Sequence, residues 1–164
     1  MKQEKTNVMR ILDAKKIAYT PHCYLESGAI AAVDIAAALG QDAVRVFKTL
    51  VTVGKSGANY VFVIPAPAEL DLKKAARAVG EKNIEMLKQK FLLPLTGYVH
   101  GGCSPIGMKK ELPCVVHASA KDYATIFFSA GKIGYQVELS ADALSAVRRV
   151  SFADLTVDGD IENA

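Results

Sequence analysis

Two runs rich in β-branched residues constrain this chain most: VRVFKTLVTV (residues 44–53) and YVFVIP (residues 60–65), separated by the turn sequence KSGAN. Such side chains suit a pleated, half-buried surface, so the pair is expected to form a hairpin. Lys48 sits inside the first run, where alternation groups it with Val46 and Leu50 on an otherwise apolar face. Lysine is seldom buried without a partner. Two readings therefore stand side by side. Lys48 is either an edge-strand lysine that snorkels to water, or a pocket lysine that points its ammonium at a carbonyl or phosphate.

Around this hairpin the pattern alternates between helix and strand. Thr6 or Asn7 can cap a first helix whose Val8, Ile11 and Leu12 share one face. IAYTPHCY is extended, because Pro21 blocks a helix. Ser27 precedes an alanine-rich helix that Gly40 stops. Asp71 caps LKKAARAVG, with Leu72, Ala75, Ala76 and Val79 as its buried stripe, and a short helix is expected over residues 84–90. PCVVHAS, ATIFFSAG and GYQVELS read as strands, Ser140 caps a last helix, and SFADLTV reads as an edge strand. Neither linker nor repeat interrupts the chain. The expectation is one α/β domain of the α+β kind with a mixed sheet, and a frayed tail at residues 159–164.

The 164 residues suffice for one core; 51% are apolar and 23% charged, as in ordinary folded proteins. No apolar run is long enough to span a bilayer, the charged N-terminus lacks a signal-like segment, and three cysteines form no C-x-x-C pair. A reducing, cytoplasmic compartment is expected. A net charge of +3 does not by itself mark a nucleic-acid binder. The local basic clusters (Lys73, Lys74 and Arg77; Lys88 and Lys90; Lys109 and Lys110; Arg148 and Arg149) are expected to be solvated faces that permit a phosphate-rich ligand.

The run GYVHGGCSPIGMKK (residues 97–110) looks built to hold something. Gly102 and Gly107 have P-loop spacing, but Met108 stands where that motif needs lysine, so the nucleotide reading fails. His100 and Cys103 form one close pair without a second at ligand spacing, which argues against a metal. Cys103 as a nucleophile lacks an orienting partner, and an ordinary turn cysteine is the better reading. What remains is backbone: Gly101 and Gly102 reach dihedrals closed to other residues, and Pro105 stiffens the turn. The loop is then either an oxyanion cradle or a tight connection between strands.

Taken in order, FKTL around Lys48, ELDLKKAA (residues 69–76), GYVHGGCSPIGMKK and SAGKIG (residues 129–134) resemble the YbaK type of bacterial aminoacyl-tRNA deacylase, a relative of the editing domain of prolyl-tRNA synthetase. The resemblance covers residues 5–158 as one editing domain. It implies a mixed, mostly antiparallel sheet or flattened barrel surrounded by helices, with no metal and no cofactor. It implies removal of cysteine mischarged onto proline tRNA, extending to Cys-tRNA(Cys), in partnership with prolyl-tRNA synthetase. The substrate's own thiol would attack its ester, so no protein nucleophile is needed. Lys48 matches the essential pocket lysine, with Phe47 beside it in the substrate-binding set. Gly101, Gly102, Cys103, Ser104 and Pro105 match the loop that embraces the 3′-terminal aminoacyl-adenosine. Tyr24 matches a tyrosine at the mouth and Ser129 a strand end facing the pocket. Gln136 departs from the aspartate common in that branch, and an amide cannot act as a base. Cys103 matches no catalytic position. A deacylase of another mischarged tRNA, such as Ala-tRNA(Pro), using an activated water, and a non-catalytic tRNA- or synthetase-binding module remain as alternatives.

Overall fold

The expected hairpin forms the centre of the molecule. In the computed structural model, which describes residues 4–158, β2 (Phe47–Gly54) pairs antiparallel with β3 (Asn59–Pro65), setting Lys48 opposite Ile64 and Thr49 opposite Val63. The strand starts later than expected: Ala43–Arg45 winds into a 3-10 turn that Asp42 caps by accepting from the Val44 N–H. Three further strands complete a five-stranded sheet in the order β4-β2-β3-β5-β8: β4 (Ile84–Met86), β5 (Cys114–His117) and β8 (Ser151–Ala153). β4 joins antiparallel, β5 and β8 parallel. A second, antiparallel sheet runs β1-β7-β6, from β1 (Thr20–Cys23), β6 (Ile126–Ser129) and β7 (Tyr135–Leu139). The fold is thus the mixed, mostly antiparallel α+β arrangement expected.

Period-2 alternation divides the large sheet between two cores. Phe47, Val51, Val61, Val63 and Val116 face the small sheet's Ile126, Phe128, Val137 and Leu139, together with Val8 and Leu12 of α1 (Asn7–Ala14). Phe62, Ile64 and Val115 point the other way, onto Ala75 and Ala76 of α3 (Leu72–Val79) and onto Leu155. Caps act as expected. Thr6 accepts from the Met9 N–H, Asp71 from those of Lys73 and Lys74, and Ser140 from Ala143 at the start of α5 (Ala141–Val147).

Four expectations fail. Residues 84–90 do not form a helix: Ile84 is buried, so this stretch adds an edge strand, and the next helix, α4, is Leu92–Thr96. Ser27 closes a 3-10 turn instead of capping α2, which begins only at Ala32 and ends at Leu39 before Gly40. Leu72 lies 41% exposed, off the buried stripe of α3. The basic residues Lys74 and Arg148 are not solvated. Lys74 ties down the C-terminal segment through Asp154, Asp158 and the Thr156 carbonyl, and Arg148 is buried. The tail expected to fray, residues 159–164, lies outside the described residues. Among those described, no helix is long and apolar enough to cross a membrane.

Candidate active site

β4 pairs only with Thr52, Val53 and Gly54 of β2, and its ladder ends as the Leu87 N–H reaches the Val51 carbonyl. The edge of β2 before that point is left open on this side. A cavity of about 530 Å³ occupies the gap, within the size range of small-molecule sites. Its walls come from Val46 and the first residues of β2, the segment entering α2, the stretch 86–92, the glycine-rich loop, and the facing ends of β6 and β7.

Lys48 lines this cavity, and its ammonium donates to the Ala66 carbonyl at 3.0 Å. The two readings of Lys48 merge: it stands on an open strand edge, and that edge is a pocket wall. Thr49, beside it, carries no signal in the sequence. Its Oγ1 is the single buried side-chain polar atom without a hydrogen-bond partner among the described residues, and it also lines the cavity. Native interiors rarely leave such a group unsatisfied, which sets this hydroxyl apart from the other buried polar groups described. In sequence it reads only as a β-branched strand residue, because an orphan is defined by its surroundings.

The structure gathers Tyr24, Phe47, Lys48, Gly101, Cys103, Ser129 and Gln136 around the one cavity. Gly102, Ser104 and Pro105 of the same loop lie outside its walls. The Gly102 N–H is used inside the turn, donating to the Val99 carbonyl at 3.0 Å; contrary to expectation its φ is not left-handed, and a Cβ there would sit 3.3 Å from the Ile133 backbone nitrogen. Ser104 is fully buried, with Oγ accepting from the Ile106 N–H. Pro105 offers its carbonyl to the Arg148 guanidinium at 3.0 Å, and Arg148 also donates to the Leu112 carbonyl. These three residues therefore hold the loop from behind while Gly101 and Cys103 face the cavity. Gly101 needs to be glycine: its φ is +87°, and a Cβ there would sit 2.7 Å from Ile30 Cγ2.

No side chain here is a ready nucleophile. Burial pushes the Cys103 thiol up to about 12, so it stays protonated at neutral pH. Burial also raises the Tyr24 hydroxyl above its ordinary value. Ser129 Oγ accepts from the Gly131 N–H at 3.1 Å. Gln136, 2% exposed, is locked in a reciprocal amide pair with Gln41, at 2.8 Å in one direction and 3.0 Å in the other. Gln41 follows α2, so the pair fastens that helix to β7 across the cavity wall. Among the described residues no three histidine, cysteine or acidic side chains gather to hold a metal.

The cavity thus joins an open strand edge, the Lys48 ammonium and the glycine-rich loop in one place. Residues 26–147 match the model of the aminoacyl-tRNA editing domain, and the chain belongs to that family. It is 45% identical over 155 residues to EbsC of Enterococcus faecalis strain ATCC 700802 / V583, covering 94% of each chain; the name of that protein assigns it Cys-tRNA(Pro)/Cys-tRNA(Cys) deacylation. A solved structure described as a trans-editing enzyme for prolyl-tRNA synthetase superposes with a TM-score of 0.81 at 26% identity, over 92% of this chain and 94% of that one. A hypothetical protein superposes with a TM-score of 0.84 at 21% identity, over 94% of this chain and 100% of that one, and shares the fold.

Proposed function

We propose that this chain is a trans-acting aminoacyl-tRNA deacylase that clears cysteine from mischarged Cys-tRNA(Pro), and from Cys-tRNA(Cys), in the cytoplasm alongside prolyl-tRNA synthetase. The observation that carries this reading is a substrate-sized cavity with a lysine on its wall, where Cys103 stays a thiol and position 136 is an amide already bonded to Gln41. In this reading the nucleophile arrives with the substrate. A cysteinyl thiol titrates near 8.5, so a useful thiolate fraction exists at neutral pH. Its sulfur attacks the carbonyl carbon of its own ester. The new S–C bond closes a thiolactone, the C–O bond to the tRNA breaks, and the thiol's proton ends on the departing 3′ oxygen. Lys48 stabilises the oxyanion or holds the terminal phosphate, the backbone at Gly101 and Cys103 encloses the aminoacyl group, and Thr49 takes one of its polar atoms. The site supplies near-attack geometry and electrostatics.

The test incubates the purified protein with a panel of mischarged tRNAs, with and without prolyl-tRNA synthetase. Cys-tRNA(Pro) should be deacylated, whereas its S-methylcysteinyl counterpart and Ala-tRNA(Pro) should persist. Lys48→Ala should lower kcat by about 100- to 1,000-fold with the fold intact by circular dichroism. Turnover of the thiol-blocked ester would sink the substrate-assisted mechanism, and failure to clear Cys-tRNA(Pro) under either condition would sink the assignment.

A further inference from the structure

Six of the nine exposed large apolar side chains among the described residues stand on two segments that contribute cavity walls: Ile30 and Val33, themselves wall residues, on the first, and Met86, also a wall residue, with Phe91, Leu93 and Val99 on the second. Such concentration marks an interaction surface. On the second segment the patch is basic as well as apolar. Lys88 and Lys90 are exposed and form no ion pair among the described residues, and Glu85 is the sole acidic residue between positions 84 and 100. Phe91 is 49% exposed, and the Lys90 ammonium stands 5.1 Å from the centre of its ring. Gln89 and Leu92, which bracket these two residues in sequence, are cavity walls, so Lys90 and Phe91 belong to the segment that borders the site.

We propose that this segment is a docking surface for the unpaired 3′-terminal nucleotides of the tRNA, a base stacking on Phe91 while Lys88 and Lys90 hold the neighbouring phosphates. The inference rests on the deacylase reading and deepens it. An aminoacyl ester in the cavity is attached to the last nucleotide, so the nucleotides before it must leave across the rim. An exposed aromatic face flanked by cations is the usual platform for single-stranded nucleic acid, because every base offers a π-face whatever its sequence. A purely apolar rim would favour a protein partner. The two exposed lysines and near-absence of carboxylates on residues 84–100 favour a polyanion.

Binding is measured by fluorescence anisotropy with an RNA hairpin carrying an unpaired C-C-A 3′ end and with its blunt-ended counterpart. The wild-type protein should prefer the overhang. Phe91→Ala should weaken that binding roughly 5- to 100-fold, and Phe91→Tyr should restore it. Replacing Lys88 and Lys90 together by alanine should flatten the dependence of log affinity on log salt by roughly 0.7 for each phosphate no longer neutralised. In deacylation, Phe91→Ala should raise KM for the charged tRNA while leaving turnover of a 3′-aminoacyl-adenosine unchanged. Equal affinity of wild type and Phe91→Ala for the overhang, or equal losses on both substrates, would overturn the proposal. So would a Phe91 defect seen only when prolyl-tRNA synthetase is present, which would assign the rim to that protein. Overhang binding that needs Phe91, with no charged tRNA deacylated, would instead uphold the docking surface and remove the enzymatic reading.

Discussion

Replacing Thr49 by valine is expected to make the protein more stable and less active at once. The Thr49 hydroxyl is buried without a partner, on the same strand face as the core residues Phe47 and Val51. Burying an unsatisfied hydroxyl costs about 1–3 kcal/mol by mutational measures. Valine keeps the shape and the β-branched backbone preference but removes the polar atom. The oxygen itself is closed to solvent although its residue lines the cavity, and the low end of that range gives a gain of about 1 kcal/mol. For a chain of this length that corresponds to roughly 2–4 °C in Tm. If the hydroxyl meets the aminoacyl group, its loss removes a neutral hydrogen bond worth about 0.5–1.5 kcal/mol, or roughly 2- to 12-fold in kcat/KM. Urea denaturation and single-substrate deacylation kinetics read the two quantities. Thr49→Ser, which keeps the hydroxyl, should hold activity near the wild-type value. A valine variant that is less stable than wild type, or equally active, refutes the reasoning: the first result would mean the oxygen has a protein partner, the second that no substrate atom meets it.

Four further outcomes follow from the same geometry. Gln41→Leu and Gln136→Leu should each cost about 1 kcal/mol by stranding the partner amide, while the double variant should lose less than their sum; additivity within about 0.5 kcal/mol in urea titrations would show that the amides are not coupled. Arg148→Lys cannot serve the Pro105 and Leu112 carbonyls with one planar fork and should lower stability by about 1.5–3 kcal/mol, with an unchanged denaturation midpoint counting against the staple. Gly101→Ala should cost about 1–2 kcal/mol from its left-handed φ, and Ile30→Ala added to it should relieve the clash but not that strain; full recovery of the midpoint in the double variant would place the cost in the clash alone. His117, buried and with its pKa lowered mainly by desolvation against the opposing pull of Asp154, takes up its proton later than in the unfolded chain as pH falls. Its contribution is therefore whole above about pH 6.5 and lost as pH falls through the lower folded-state value, so His117→Asn should flatten the fall in Tm between pH 7 and 5, and parallel curves would refute it.

The part of the fold that is legible in the sequence is the part set by neighbours along the chain. Thr6, Asp71 and Ser140 cap because a side-chain oxygen three residues from an N–H needs no distant partner. Residues 84–90 mislead because so short a stretch has no period that separates strand from helix; pairing with Thr52–Gly54 of β2 decides it. The site divides along the same line. Gly101 is legible because its own backbone demands glycine, and Lys48 because lysine in an apolar strand is anomalous wherever the strand lies. Gln41 meets Gln136 across 95 positions, and Arg148 meets Pro105 across 43, so in sequence Gln136 reads as a missing base and Arg148 as a solvated charge. Both long-range pairs do similar work, one fastening α2 to the cavity wall and the other holding the glycine loop from behind. The residues that shape this pocket are thus largely ones whose chemistry is spent on other protein groups, and among the described residues the Thr49 hydroxyl is the buried exception.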